Sequence, residues 1–157
     1  IVFVVSPAKL AGDFLKAYRA KGVGAPLAMP SYGNADVLCA IAGKDSARGV
    51  IMAQVMPNVS NTAIPIVRRF QEDIKKHGEK DMRPNILQLE AYVTTQVLLE
   101  GLRRAGPAAP RQKLVPALDA LKRLDLGGYT VEFSPTRHTG SEFVDISIIG
   151  RDCKLMF

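Results

Sequence analysis

The first five residues, Ile1-Val2-Phe3-Val4-Val5, form an unbroken apolar run rich in β-branched side chains. Such a run predicts a strand buried on both faces. Ser6-Pro7-Ala8 breaks it. From 9 to 21 the period becomes helical. Leu10, Phe14 and Tyr18 fall on one stripe, Lys9, Lys16 and Arg19 fall away from it, and Gly22 is a stop. Residues 26–29 form a second short strand. Asn34 is placed to cap a helix over 35–42, which Gly43 ends. Residues 49–55, Gly-Val-Ile-Met-Ala-Gln-Val, make a third strand. The order strand–helix–strand–helix–strand predicts an α/β fold with parallel strands and right-handed crossovers. The strand ends near Ser6, Ser31 and Gln54 then face the same side.

The pattern changes after residue 55. Met56 to Thr62 is a polar connector with Pro57, which we read as a crossover between lobes. A helix follows over 63–77, with Ile66, Phe70 and Ile74 as its apolar stripe and His77-Gly78 as its close. Asn85 caps a longer helix over 86–104, whose core face is read as Leu87, Ala91, Thr94, Leu98 and Leu102. Residues 111–124 form another amphipathic helix, with Leu114, Leu118 and Leu121 inward. Tyr129–Phe133 and Glu142–Ile149 alternate as half-buried strands, and Gly150-Arg151-Asp152-Cys153 turns into a return strand at Lys154–Phe157. No helices separate these last strands, so antiparallel pairing is expected.

Composition narrows the class. The 157 residues are 47% apolar and 23% charged, enough for one ordinary domain with a real core. No apolar run approaches the roughly 20 residues of a membrane span. The chain opens inside an apolar strand with neither an initiator Met nor a leader, as expected of a fragment or processed product. The net charge is +6, but the basic residues are dispersed along helices and no aromatic residues interleave with them, which excludes a nucleic-acid groove. Cys39 and Cys153 have no metal-ligand spacing. A disulfide between them in an oxidising compartment and two separate thiols are both open readings.

The turn Met29-Pro30-Ser31-Tyr32-Gly33-Asn34 lies between a strand and a helix N-terminus, the edge at which open parallel sheets bind ligands. Ser31, Gly33 and Asn34 let a ligand approach, and Tyr32 offers a ring and a hydroxyl. Catalytic patterns are missing. There is no GxSxG, P-loop, HExxH or GxGxxG, and Gly22-Val23-Gly24 lacks both the third glycine and the preceding strand. His138 with Ser134, Ser141 and Asp145 supplies triad residue types, but on one loop and strand with nothing to position a nucleophile. A binding module is expected, with no enzyme activity and no cofactor or metal.

Several segments together resemble the C-terminal portion of the branched-chain amino-acid type of periplasmic solute-binding protein. They are Phe14–Gly22 (FLKAYRAKG), Ile41-Ala42-Gly43 followed by Ala47-Arg48-Gly49-Val50, Ala91-Tyr92 within 85–99, Phe133-Ser134-Pro135 through His138-Thr139-Gly140, and Asp145 with Gly150-Arg151-Asp152. The resemblance implies a three-layer α/β/α type I fold of two lobes, with helices on both faces of parallel sheets and antiparallel C-terminal strands. It places 1–56 in the second lobe, 57–140 in the first, and 141–157 back in the second, in an incomplete two-lobe protein. Such a chain is expected to need its missing N-terminal half, or a swapped dimer, to fold well. The implied function is that of an extracytoplasmic, periplasmic receptor of an ABC importer, which binds an amino acid or related small carboxylate or amide in an interlobe cleft and presents it to the permease subunits. The alternative is a ligand-sensing domain of a regulator on the same fold. Expected contacts are Ser31 and Tyr32, with Ser6, Pro7 and Ala8 lining the same edge, Gln54 near the hinge and Glu90 on the long helix.

Three positions depart from the family pattern. Ser31 stands where amino-acid binders place an acidic residue for the ligand's ammonium, which widens the ligand class to aromatic or aliphatic carboxylates and amides unless Glu90 supplies the charge. Pro7 replaces a frequent aromatic. Cys153 replaces a usual glycine, where a positive φ would be strained.

Overall fold

The computed structural model describes residues 1–107 and 111–157. They form two compact units. The first comprises Ile1–Val55 and Val144–Phe157, and the second comprises Met56–Phe143.

The first unit is built on a five-stranded sheet. Its strands are β1 (Val2–Phe3), β2 (Leu27–Pro30), β3 (Ile51–Gln54), β6 (Asp145–Ile149) and β7 (Leu155–Met156), in the order β1-β2-β3-β6-β7. The first three run parallel, and β6 and β7 are antiparallel additions. Helices α1 (Ala8–Ala20), α2 (Ala35–Ala42) and the short α3 (Lys44–Ala47) lie over one face. There Ala11, Leu15, Leu38, Ala42 and Ala47 pack against Leu27, Met29, Val50, Met52 and Ile149. Gly12 permits the close approach of α1 to α2, since a Cβ there would lie 2.9 Å from Ile41 Cβ. Asn34 adopts φ 48 and its Oδ1 accepts from the amides of Asp36 (3.0 Å) and Val37 (3.3 Å). Gly43 ends the helix at φ 85, as the capping pattern anticipated.

Other expectations need correction. The strand over 1–5 shrinks to two residues at the sheet edge, and it is not buried on both faces: Ile1, Phe3 and Val5 are exposed, Phe3 at 66%. The register explains this. Phe3, Ala28, Ile51, Ile148 and Met156 form one cross-strand row on the face opposite the helices, next to Pro30, Ala53 and Ile146. On this apolar face Ile146 is 52% and Met156 57% exposed, while the small Ala28 between its neighbours is buried at 4%. On α1, Leu10 and Phe14 are exposed while Ala11 and Leu15 are fully buried, so the core stripe is offset by one residue from the expected one. On β6 the buried positions are Ser147 and Ile149.

Cys39 on α2 and Cys153 in the β6–β7 turn form a disulfide, with Cα atoms 6.3 Å apart and 114 residues between them in sequence. The pairing accounts for Cys153. The residue closes the turn at φ 62, donating its amide to the Gly150 carbonyl at 3.2 Å. A left-handed non-glycine residue costs roughly 1–2 kcal/mol, whereas closing a loop of this length contributes on the order of 4–5 kcal/mol in the chain-entropy account. The crosslink outweighs the strain.

The second unit is mainly helical, with α4 (Pro65–His77), α5 (Ile86–Ala105), α6 (Arg111–Asp119) and a two-stranded sheet of β4 (Leu124–Asp125) and β5 (Thr130–Val131). Asn85 and Gln88 form a reciprocal capping box at the start of α5. The α5 core face also differs from the expected one. Ile86, Leu89, Val93 and Gly101 are buried, while Leu87, Leu98 and Leu102 face solvent. Gly101 lets α6 close on α5, because a Cβ there would meet Leu118 at 2.6 Å. Tyr92 ties α5 to α4. Its ring packs 5.5 Å from that of Phe70, and its hydroxyl donates to Asp73 Oδ2 at 2.6 Å. Burial, reinforced by the Asp73 bond and charge, pushes its phenol up from 10.0 to about 12.

Reduction of the disulfide, or the double substitution Cys39→Ser/Cys153→Ser, should lower unfolding stability by about 2–5 kcal/mol. Urea melts with and without reductant measure it, and coincident curves would show the crosslink to be energetically idle. For Tyr92, the neutral phenol is favoured in the folded state. Its contribution is intact below pH 10 and disappears as pH rises from there to about 12. Melts of Tyr92→Phe across that window should lack this part of the alkaline loss. A mutant that tracks the wild type throughout would show that the Asp73 bond is immaterial.

Candidate functional site

The parallel strands β2 and β3 end on one edge, and the side chains there change from apolar to polar within one step. On the helix-covered face, Met29, Met52 and Ser147 form one cross-strand row, and the next row holds Gln54 beside Asp145. Ser31 follows Pro30, whose partner Ala53 precedes Gln54, so Ser31 and Gln54 leave the edge together. Ser31 opens a single 3-10 turn, Ser31–Gly33, which packs against β3 and α1. Gly33 lies tight under Met29, whose Sδ would be 2.9 Å from a Cβ at that position.

The sequence candidates divide along these lines. Ser31 is at the edge but only 4% exposed, while Tyr32 beside it is 44% exposed and turned to solvent. Pro7 is the N-cap residue of α1, exposed, with Ser6 and Ala8 half-buried around it. Gln54 is not on the surface. It is fully buried, and its Nε2 donates to Ser147 Oγ at 2.8 Å, which in turn donates to the Met52 carbonyl at 3.4 Å. Its carbonyl oxygen Oε1 is buried without a hydrogen-bond partner among the described residues. Such an acceptor costs about 1–3 kcal/mol while it stays unpaired. Glu90 belongs to the other unit. It is half-buried on α5, and its charge adds to the burial that pushes the Tyr129 phenol up.

The electrostatics of the edge also differ from expectation. The N-terminal amides of α2 are a natural place for a ligand to meet the positive end of the helix. Asn34 Oδ1 already takes two of them, and Asp36 places a carboxylate in the first turn. Lys9, on the first turn of α1, is paired with Asp13 at 2.9 Å. Two of the α2 amides and Lys9 are therefore engaged, whereas the first turn of α1 carries no side-chain cap. Acceptors remain: Gln54 Oε1, and Asp145, whose Oδ1 accepts from the amide of Ile146 at 2.8 Å while Oδ2 has no partner among the described residues. The sequence reading missed Asp145 as a site residue, because only the β3–β6 register brings it to Gln54. Among the described residues no group of three or more His, Cys, Asp or Glu side chains is placed to hold a metal ion. No helix among them is long and apolar enough to cross a membrane.

Comparison with known proteins gives this edge its context. The sequence model of the family described as periplasmic binding protein matches residues 1–146. No curated protein matches. Among solved structures, a substrate-binding periplasmic protein from Ralstonia solanacearum is 33% identical, with a TM-score of 0.84 over 96% of this chain and 43% of its own. An extracellular ligand-binding receptor from Verminephrobacter eiseniae ef01-2 is 29% identical, with a TM-score of 0.84 over 99% of this chain and 44% of its own. A leucine-binding protein from Thermotoga maritima MSB8 shares the fold at 16% identity, with a TM-score of 0.81 over 99% of this chain and 42% of its own. The chain thus spans less than half the length of these structures. It belongs to the periplasmic binding protein family and has the type I fold of that family.

Proposed function

We propose that this protein is an extracytoplasmic solute-binding receptor of an ABC importer, that it takes an amino acid or a related small carboxylate or amide, and that it presents the solute to the permease subunits without chemically changing it. The observation that carries this reading is the polar end of an otherwise apolar sheet. Ser31, Gln54 and Asp145 gather at the carboxyl edge of β2 and β3, where open α/β sheets hold ligands, on a chain that belongs to a solute-binding family. The Cys39–Cys153 disulfide supports an oxidising, extracytoplasmic setting. In this reading 1–56 and 141–157 are part of one lobe and 57–140 part of the other. Ser31 and Tyr32 contact the solute, with Ser6, Pro7 and Ala8 along the same edge. Gln54 holds the edge from beneath, through Ser147. Glu90 is a contact from the other lobe.

The test is a thermal-shift screen of the protein made from its complete reading frame, against aliphatic amino acids, aromatic carboxylates and small amides. A solute at about 100 times its dissociation constant should add roughly 2.7 kcal/mol of stability. Tyr32→Ala should weaken binding of that solute by about tenfold or more while leaving the melt without solute unchanged, since the ring is exposed. A panel with no shift anywhere, or a Tyr32→Ala variant of undiminished affinity, would count against the assignment.

A further inference from the structure

The carboxyl edge of the first unit's sheet is graded from donors to acceptors. β1 and β2 run parallel, so α1, which follows β1, begins at the edge where β2 ends. Its 13 residues start from Pro7, with no side-chain cap and no acidic residue in the first turn. The amide of Ala11 donates to the Pro7 carbonyl at 3.0 Å, while those of Ala8, Lys9 and Leu10 have no acceptor among the described residues. Ser31 is an independent observation at the same place. It is 4% exposed, and its hydroxyl has no partner among the described residues. Pro30 is extended (φ −68, ψ 158), so Ser31 keeps the strand alternation and points, like Met29, to the face on which α1 lies. The turn that Ser31 opens packs against α1. Tyr32 adds an exposed hydroxyl beside it. The acceptors lie further across the sheet. Gln54 ends β3, and Asp145 begins β6, on the far side of β3 from Ser31.

We infer that this end of the edge holds the solute by a carboxylate, seated on the free amides of α1 and the hydroxyl of Ser31. The inference rests on the solute-receptor reading above and narrows it to solutes that carry a carboxylate. A helix N-terminus offers N–H donors and partial positive charge together, and a carboxylate satisfies both. Its bond to the Ser31 hydroxyl is charge-assisted, and it engages a nearly buried donor that the chain itself leaves unused. A neutral carboxamide would satisfy the same donors without the charge, and an ammonium would meet donors alone. The departure at Ser31 follows from this chemistry. An acidic side chain there would repel the carboxylate, whereas a serine hydroxyl donates to it.

The experiment is calorimetric titration of the protein made from its complete reading frame, using two matched pairs of probes. These are L-leucine against L-leucinamide, and 3-phenylpropanoate against 3-phenylpropanamide. Each pair differs only in carboxylate against carboxamide, so the amino group of the first pair cancels. In at least one pair the wild type should bind the carboxylate about tenfold or more tighter than its amide. Pro7→Asp places a capping carboxylate on the α1 amides. It should weaken the carboxylate probe by about tenfold or more and its amide by less than about threefold. Pro7→Asn caps the same amides without charge and should lose less than Pro7→Asp. Ser31→Ala should weaken the carboxylate more than the amide. Without solute all three variants should melt close to the wild type, since two supply a cap that α1 lacks and the third removes an unpartnered hydroxyl. Carboxylate affinity that is undiminished in Pro7→Asp or in Ser31→Ala, or equal weakening of both members of a pair, overturns the assignment. A wild type that binds the amides as tightly as the carboxylates overturns it and leaves the receptor reading standing. Failure of all four probes in the titration, with another solute positive in the thermal screen, does the same. Failure of the thermal screen as well removes both.

Discussion

Everything in the first unit depends on the register of three parallel strands with one antiparallel neighbour. That register sorts side chains into rows. One face carries Leu27, Met29, Val50, Met52 and Ile149 into the helices, and the other carries Phe3, Ala28, Ile51, Ile148 and Met156 in a line across all five strands. Slipping β3 or β6 by one residue would turn Gln54 or Ser147, respectively, into the wrong layer. The same register sets the edge. Because β2 and β3 end together and β6 begins there, polar residues far apart in sequence share one rim, Gln54 and Asp145 among them.

The disulfide and the cap act on the elements that define this rim. Asn34 starts α2 directly after the Ser31–Gly33 turn, and Cys39 fastens the middle of that helix to the β6–β7 turn. The strand that brings Asp145 and the helix that follows Ser31 are thereby held by one covalent link. The strain at Cys153, which looks unfavourable in isolation, is the local consequence of placing a cysteine where the turn calls for a left-handed residue.

Much of this organisation was legible in the residues. The Asn34–Gly43 helix, the parallel order of the first three strands, the antiparallel C-terminal hairpin and the Asn85 cap all follow from local signals that act over a few positions. The choice of helix face was not. α1 carries Leu10 and Phe14 one residue away from Ala11 and Leu15, and α5 carries Leu87, Leu98 and Leu102 beside Leu89 and Val93. A helix apolar on two stripes presents two equal solutions, and only the neighbours choose between them. The first strand misled for a related reason, because a run apolar on both sides says which faces favour burial and not which are covered. Pairings at long sequence separation were also out of reach. Cys39 with Cys153 and Gln54 with Asp145 are each decided by how β6 docks, and no spacing within the sequence encodes that.

We place the solute at the carboxyl edge of the first unit's sheet. A crystal structure of the protein from its complete reading frame, grown with the solute that most raises its melting temperature, tests this most directly. A polar group of the solute should lie within about 3.2 Å of Ser31 or Asp145. A solute bound on another surface, with Ser31 and Asp145 touching only water or protein, would contradict it.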